Sequence, residues 1–202
     1  MTELLSRPVL DGAGRALLFT GARTANTFSD EPVSDEQLTA IWELAKWPPT
    51  AANTQPLRVV FVRTPAGKAK LVAHMSEGNT EKTAAAPVSA ILAYDNDFHE
   101  HMPTLFPARG ETMKETFAAN PNRHEMASYN AALQAAYFIL AVRAEGLVAG
   151  PMKGFDAAGI DADFFPDGRF KTELVVNIGH PGENAWFPRL PRLEHDVAIA
   201  WA

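Results

Sequence analysis

The sequence predicts a helix-and-strand fold in which helices alternate with strands around one buried sheet. Two observations carry this expectation. Within the stretch from Asn122 to Gly154, only Gln134 is strongly polar between Ala131 and Val142 and apolar groups recur there at every helical angle, so this segment reads as a helix enclosed on nearly all sides. The runs at Val59–Val62, Pro87–Tyr94 and Phe170–Gly179 are short and bounded by breakers, and VSAILAY is too apolar to be half exposed; they read as buried strands.

The long helix is predicted to begin at a capping box, Asn122 with Glu125, and to stop at Gly146 in a left-handed turn. Ala131, Ala132, Ala135 and Ala136 keep two of its ridges low, which permits close approach of another backbone. A second copy of the same helix is one candidate for that neighbour, and the centre of a monomeric core is the other. Upstream, Asp11 to Leu18 suits a short helix, and GARTANTF a turn. Ser34 opens an amphipathic helix through Ala45 with Asp35 and Glu36 at its positive end, and Pro48 and Pro49 end it. PPTAANTQPLR reads as a rigid loop with exposed amides and hydroxyls. Gly67 to Met75 is expected to be a surface helix, SEGNTEKT a polar connection, Asp95 to Asn120 an irregular lid or excursion, and Leu147 to Ala149 a short apolar piece. The tail WFPRLPRLEHDVAIAWA is held extended by its prolines and ends in apolar residues that need covering, which suggests a clasp on a partner subunit.

Composition narrows the function. The 202 residues, 47% hydrophobic and 21% charged, are expected to make one domain, 1–202. A net charge of −6 without a basic run argues against nucleic acid and anionic lipid, and favours small-molecule partners. Cysteine is absent, which excludes disulfides and thiolate chemistry and fits a cytoplasmic setting. No leader pattern is evident in MTELLSRPVLDGAG, and no apolar run reaches the ~20 residues of a membrane span.

Hydrolytic and nucleotide motifs are missing: there is no G-x-S-x-G, Walker loop or H-E-x-x-H. Gly12 and Gly14 lack the preceding strand and third glycine of a dinucleotide fingerprint. His99 and His101 read as a solvated loop, so no metal is expected. What recurs is arginine or lysine beside turns, with glycine and proline loops, a set that suits a phosphorylated planar cofactor.

The order ARTANTF, PPTAANTQP before a strand, GNTEKT, GPMKGFD after a long helix, NIGHP and RLPR resembles the nitroreductase family of FMN-dependent oxidoreductases. Within it, KWPPTAANTQP, KTAAAPVSAI and GPMKGFD are similar to the subgroup that includes the malonic semialdehyde reductase of pyrimidine breakdown. The resemblance implies an α+β fold, a mixed and mostly antiparallel sheet flanked by helices, and an intertwined homodimer with FMN at the subunit interface and NADH or NADPH as reductant. It places Arg23, Thr24 and Asn26 near the phosphate, ribityl chain and ring, and Thr50, Ala51 and Asn53 on the flavin from the other subunit. Asn79 and Lys82 would face the pyrimidine edge and ribityl chain, and Pro151, Lys153 and Gly154 would form the ring-facing loop. Arg189 and Arg192 are both candidates for the phosphate. The chain departs from many members of the family at Asn26, where they carry a base, and at Lys153, where they carry an acid. Lys153 is therefore expected to favour a carboxylate-bearing substrate. No side chain is assigned as catalytic acid or base. The expected reaction is hydride transfer to a small acceptor, malonic semialdehyde first and quinones or nitroaromatics second. A non-catalytic flavin-binding or interaction protein is the alternative from another class.

Overall fold

Four strands, β1 (Leu57–Val62), β2 (Val88–Asp95), β3 (Val148–Met152) and β4 (Phe170–Gly179), make one sheet in the order β1-β2-β4-β3, with every pairing antiparallel. The computed structural model describes residues 9–202, so the first eight residues of the stretch read above for a leader lie outside it. Around the sheet stand α1 (Gly12–Arg15), α2 (Asp35–Ala45), α3 (Pro65–Ala73), α4 (Glu77–Ala85), α5 (Met102–Leu105), α6 (Gly110–Ala118), α7 (Arg123–Ala144), α8 (Ala157–Phe164) and α9 (His195–Ala198).

Both faces of the sheet are covered, and this explains why β2 is apolar without alternation. Ala90, Leu92, Val176 and Ile178 pack with Leu38 and Ile41 of α2 and Phe138 and Val142 of α7. The alternate residues Ile91, Ala93 and Val175 pack with Leu71 of α3, Ile160 of α8 and Phe165 on the other side. Helices α2 and α7 bury a stripe each, and α3 and α8 one residue each, Leu71 and Ile160; α2 begins with the full reciprocal box between Ser34 and Gln37.

Helix α7 departs from its reading in two ways. Its N-terminus has no side-chain cap, because the Asn122 backbone is turned out of the capping geometry. Its C-terminus stops as expected, at Gly146 with φ +76°. In this chain α7 is also not enclosed: Tyr129, Ala132, Leu133, Ala136 and Tyr137 form one exposed stripe at helical spacing, while Ala131, Ala135 and Phe138 face the sheet. The polar Gln134 is fully buried, and its Oε1 accepts the Leu57 N–H at 3.0 Å, where β1 begins.

Three other expectations change. SEGNTEKT is not a connection but most of α4, since it holds no breaker after Gly78 until Pro87. The Asp95–Asn120 excursion is largely helical, with a 3-10 turn over Phe98–His101 followed by α5 and α6. The apolar piece after α7 extends into β3 through Pro151, which a strand tolerates at a sheet edge, where its missing N–H needs no partner. No helix among the described residues is long and apolar enough to cross a membrane.

Candidate functional site

The edge of β3 positions the first group of expected residues. Ala25 N donates to Ala149 O at 3.0 Å, Asn26 N to Ala185 O at 3.0 Å, and Thr27 Oγ1 to Glu183 O at 2.6 Å, so residues 22–28 run between β3 and the start of the tail. The approach requires glycine at 150, where a Cβ would stand 2.7 Å from the Ala25 carbonyl oxygen. The tail then crosses in front. One Arg189 nitrogen donates to the carbonyls of Thr20 and Ala22, at 2.8 and 2.9 Å, and fixes the turn that carries Arg23.

Between turn and tail lies a cavity of about 500 Å³ lined by Arg23, Thr24, Asn26, Phe187, Arg189 and Arg192 among others, with no acidic residue on its wall. Five of the thirteen expected cofactor residues meet there, and three are arginines. A second cavity of about 370 Å³ shares Asn26 and Phe187 with the first and adds Lys82, Glu81 and Asn184. A third, about 330 Å³, shares Arg23 and is walled by Leu17, Leu147, Trp186 and Arg143. Burial lowers the Arg143 guanidinium from its ordinary value, and Arg143 donates to Leu18 O inside the π-helical turn Ala16–Thr20.

Helix α4 supplies the second group. Asn79 Nδ2 donates to Gly154 O at 2.8 Å, and Ser76 N reaches the same oxygen at 3.1 Å. Pro151 lies in β3 opposite Val176. Lys153 is not among the residues that line the two cavities: its ammonium bonds Glu173, 3.0 Å from Oε1, and stands over the Phe155 ring.

Thr50, Ala51 and Asn53 line neither cavity in this chain. Their loop is held from two sides. Asn130 Oδ1 of α7 accepts the Ala51 N–H at 2.7 Å, and Asn53 Nδ2 donates to Leu105 O at 2.8 Å. Ala52, Asn53 and Gln55, on either side of a right-handed Thr54, have φ of 51°, 56° and 41°, left-handed values that cost residues with a Cβ on the order of 1 kcal/mol each. Backbone strain of this kind concentrates at functional segments.

Reading the sequence missed Phe187, the one aromatic shared by the first two cavities, and Arg143. The aromatic pair at Trp186 and Phe187 just before RLPR was the available signal for the first; Arg143 gave none, because a terminal helix arginine is ordinarily read as favourable to the dipole.

The family model described as Nitroreductase family matches residues 20–180. A Streptomyces coelicolor protein provisionally named NADH dehydrogenase/NAD(P)H nitroreductase is 57% identical over 196 residues, 96% of each chain. A nitroreductase-like structure from Exiguobacterium sibiricum, described as a complex with FMN, superposes with TM-score 0.82 at 17% identity, over 97% of this chain and 99% of that one. A Staphylococcus epidermidis structure described provisionally as an NAD(P)H:FMN oxidoreductase gives TM-score 0.82 at 19% identity, over 96% and 98%. With the fold and a model match over most of its length, the chain belongs to the nitroreductase family of oxidoreductases.

Proposed function

We propose that the protein is an FMN-dependent oxidoreductase that carries hydride from NADH or NADPH to a small acceptor, working as a homodimer and as one domain over 1–202. The observation that carries this reading is the acid-free cavity with Arg23, Arg189 and Arg192 on its wall, beside a second one that shares Asn26 and Phe187 with it and holds Lys82. Both volumes lie in the range of small-molecule sites, ~300–1,000 Å³. The donor set fits FMN. Guanidinium groups bind phosphate through paired N–H donors, Thr24 and Asn26 offer neutral donors beside them, and Gly154 and Pro151 let backbone lie close to a flat ring.

When bound, FMN supplies hydride acceptance and release; the chain's own residues supply position and field. Arg23 and one of Arg189 and Arg192 hold the phosphate end. Lys82 and Asn79 face the pyrimidine edge, where the Lys82 ammonium favours electron-rich flavin and raises its reduction potential. Phe187, exposed on the wall of both cavities, offers an aromatic face to the flavin. Thr50, Ala51 and Asn53, which line neither cavity of their own chain, act on the flavin of the partner subunit.

The exposed α7 stripe around Leu133 and Tyr137, and the tail with Trp201 91% exposed, support the dimer: an apolar surface of this extent calls for a cover, and a second copy presents the same face. Lys153 is the residue assigned to substrate choice. Its ammonium, paired with Glu173 in the free chain, is available to a carboxylate that displaces the pair, which favours malonic semialdehyde going to 3-hydroxypropionate. The second reading, reduction of nitroaromatics or quinones, is favoured by the name of the 57% identical relative. An anaerobic screen of the NADH-reduced protein against malonic semialdehyde, quinones and nitro compounds tests both. Fast reoxidation by the semialdehyde that slows in Lys153→Ala supports the first; reoxidation by nitro compounds or quinones alone, unchanged in that variant, assigns the second.

A further inference from the structure

A half-buried ammonium lies behind this site and lines neither of its cavities. Lys68 of α3 turns inward under α4, where its Nζ donates to the carbonyl oxygen of Thr83 and, at 2.9 Å, to Ser89 Oγ. It makes no ion pair among the described residues. Burial alone lowers it to about 8, so the charge is kept against its solvation cost by the contacts it makes.

Those contacts answer a defect written in the sequence. Thr83 lies in the last turn of α4, and in a continuing helix its carbonyl would accept from the N–H four residues on. That residue is Pro87, which has none. The helix closes one residue earlier, Ala86 N to Lys82 O at 3.1 Å, and the Thr83 carbonyl is left to Lys68. A cation at the carbonyl end of a helix is also favoured by the helix dipole.

From this point a buried polar network runs to the end of β3. Ser89 Oγ donates to Asn177 Oδ1 at 2.7 Å, Asn177 Nδ2 to Thr83 Oγ1 at 3.2 Å, and Thr83 Oγ1 to Met152 Sδ at 3.7 Å; Thr83, Ser89 and Asn177 are wholly buried. Met152 directly precedes Lys153 and Gly154. The network therefore underlies both segments that meet at the Asn79–Gly154 hydrogen bond.

We propose that Lys68 is a positioning residue for the cofactor site: by holding the last turn of α4 on the sheet, it keeps Asn79 and Lys82 aligned with Pro151–Gly154. The inference rests on the FMN reading above. It distinguishes Lys68 from a lysine that only stabilises the fold, because its removal displaces α4 in molecules that remain folded.

The test titrates FMN into the full-length apoprotein, following quenching of flavin fluorescence, with thermal melts of the same samples. Wild-type protein is expected to bind FMN. Lys68→Met is expected to weaken binding about tenfold or more, the order produced by one orphaned buried acceptor, and Lys68→Arg, which keeps the charge and donors, to recover most of the loss. If Lys68→Met does not fold, Lys68→Gln, which keeps an amide donor, is read in its place against the same threshold. Folded variant protein that binds FMN within about twofold of wild type overturns the proposal, whatever its melting temperature. Failure of wild type to bind FMN overturns the functional reading itself, and so separates the two.

Discussion

Asn79 Nδ2 and the Gly154 carbonyl oxygen lie 2.8 Å apart, and the place where a Gly154 Cβ would stand is 2.7 Å from that same Asn79 nitrogen. The glycine is thus what lets α4 and the end of β3 meet. Gly154→Ala should push the Asn79 amide aside and weaken FMN binding about tenfold, with little loss of thermal stability because only a side-chain end must move. Equal FMN affinity in the two proteins, by fluorescence titration, would count against the assigned place of this loop.

The three arginines on the first cavity wall are not equivalent. Arg192 spends its bonds on the neighbouring carbonyls of Leu190 and Pro191, whereas Arg189 clamps Thr20 and Ala22 across the chain. Arg23→Ala and Arg192→Ala should each weaken FMN about tenfold to a hundredfold and leave riboflavin affinity unchanged, since riboflavin lacks the phosphate. Arg189→Ala should weaken both ligands, because it releases the turn that carries Arg23. Titrations with the two flavins side by side check this.

Asp95, fully buried at the end of the inner strand β2, ties β1 and β4 together through Arg58 and Arg169. Burial pushes its carboxyl up, but hydrogen bonds from Arg169 and the Asp97 N–H and the charges of Arg58 and Arg169 outweigh burial and hold it below the ordinary aspartate value. A depressed carboxyl contributes stability that is present above its unfolded value and lost as the pH falls through its folded one. Asp95→Asn should therefore cost about 3 kcal/mol near pH 7, where it leaves Arg58 without its carboxylate and Arg169 with Glu100 alone, and the gap to wild type should narrow below about pH 4. Denaturant melts at the two pH values measure it.

Leu133, 38% exposed in the chain, lies mid-way along the apolar stripe of α7. Leu133→Glu should convert the protein to monomers by light scattering and, because Thr50, Ala51 and Asn53 are assigned to the partner's flavin, should cost FMN affinity as well. A monomer with full FMN affinity would contradict the shared site.

Much of this was legible before the fold was known, and the exceptions have physical causes. The strands could be read because two covered faces demand unbroken apolar runs, and Ser34–Gln37 because a reciprocal cap needs both partners in sequence. SEGNTEKT was misread because polar residues say nothing about helix once neither face is apolar; the missing breaker before Pro87 was the better guide. The exposed stripe of α7 could not be separated from its buried one, since leucine and alanine look alike whether they face a sheet or a second subunit. Lys68 escaped notice because its partner is a backbone carbonyl, defined by a proline nineteen residues away.

The central claim is that the arginine-lined cavity and its neighbour hold a flavin that NAD(P)H reduces. The purified protein, loaded with FMN and freed of excess, should lose its visible flavin absorbance when NADH or NADPH is added without oxygen, and regain it with an acceptor. Protein that retains no FMN, or retains it and stays coloured under both nucleotides, would contradict the account.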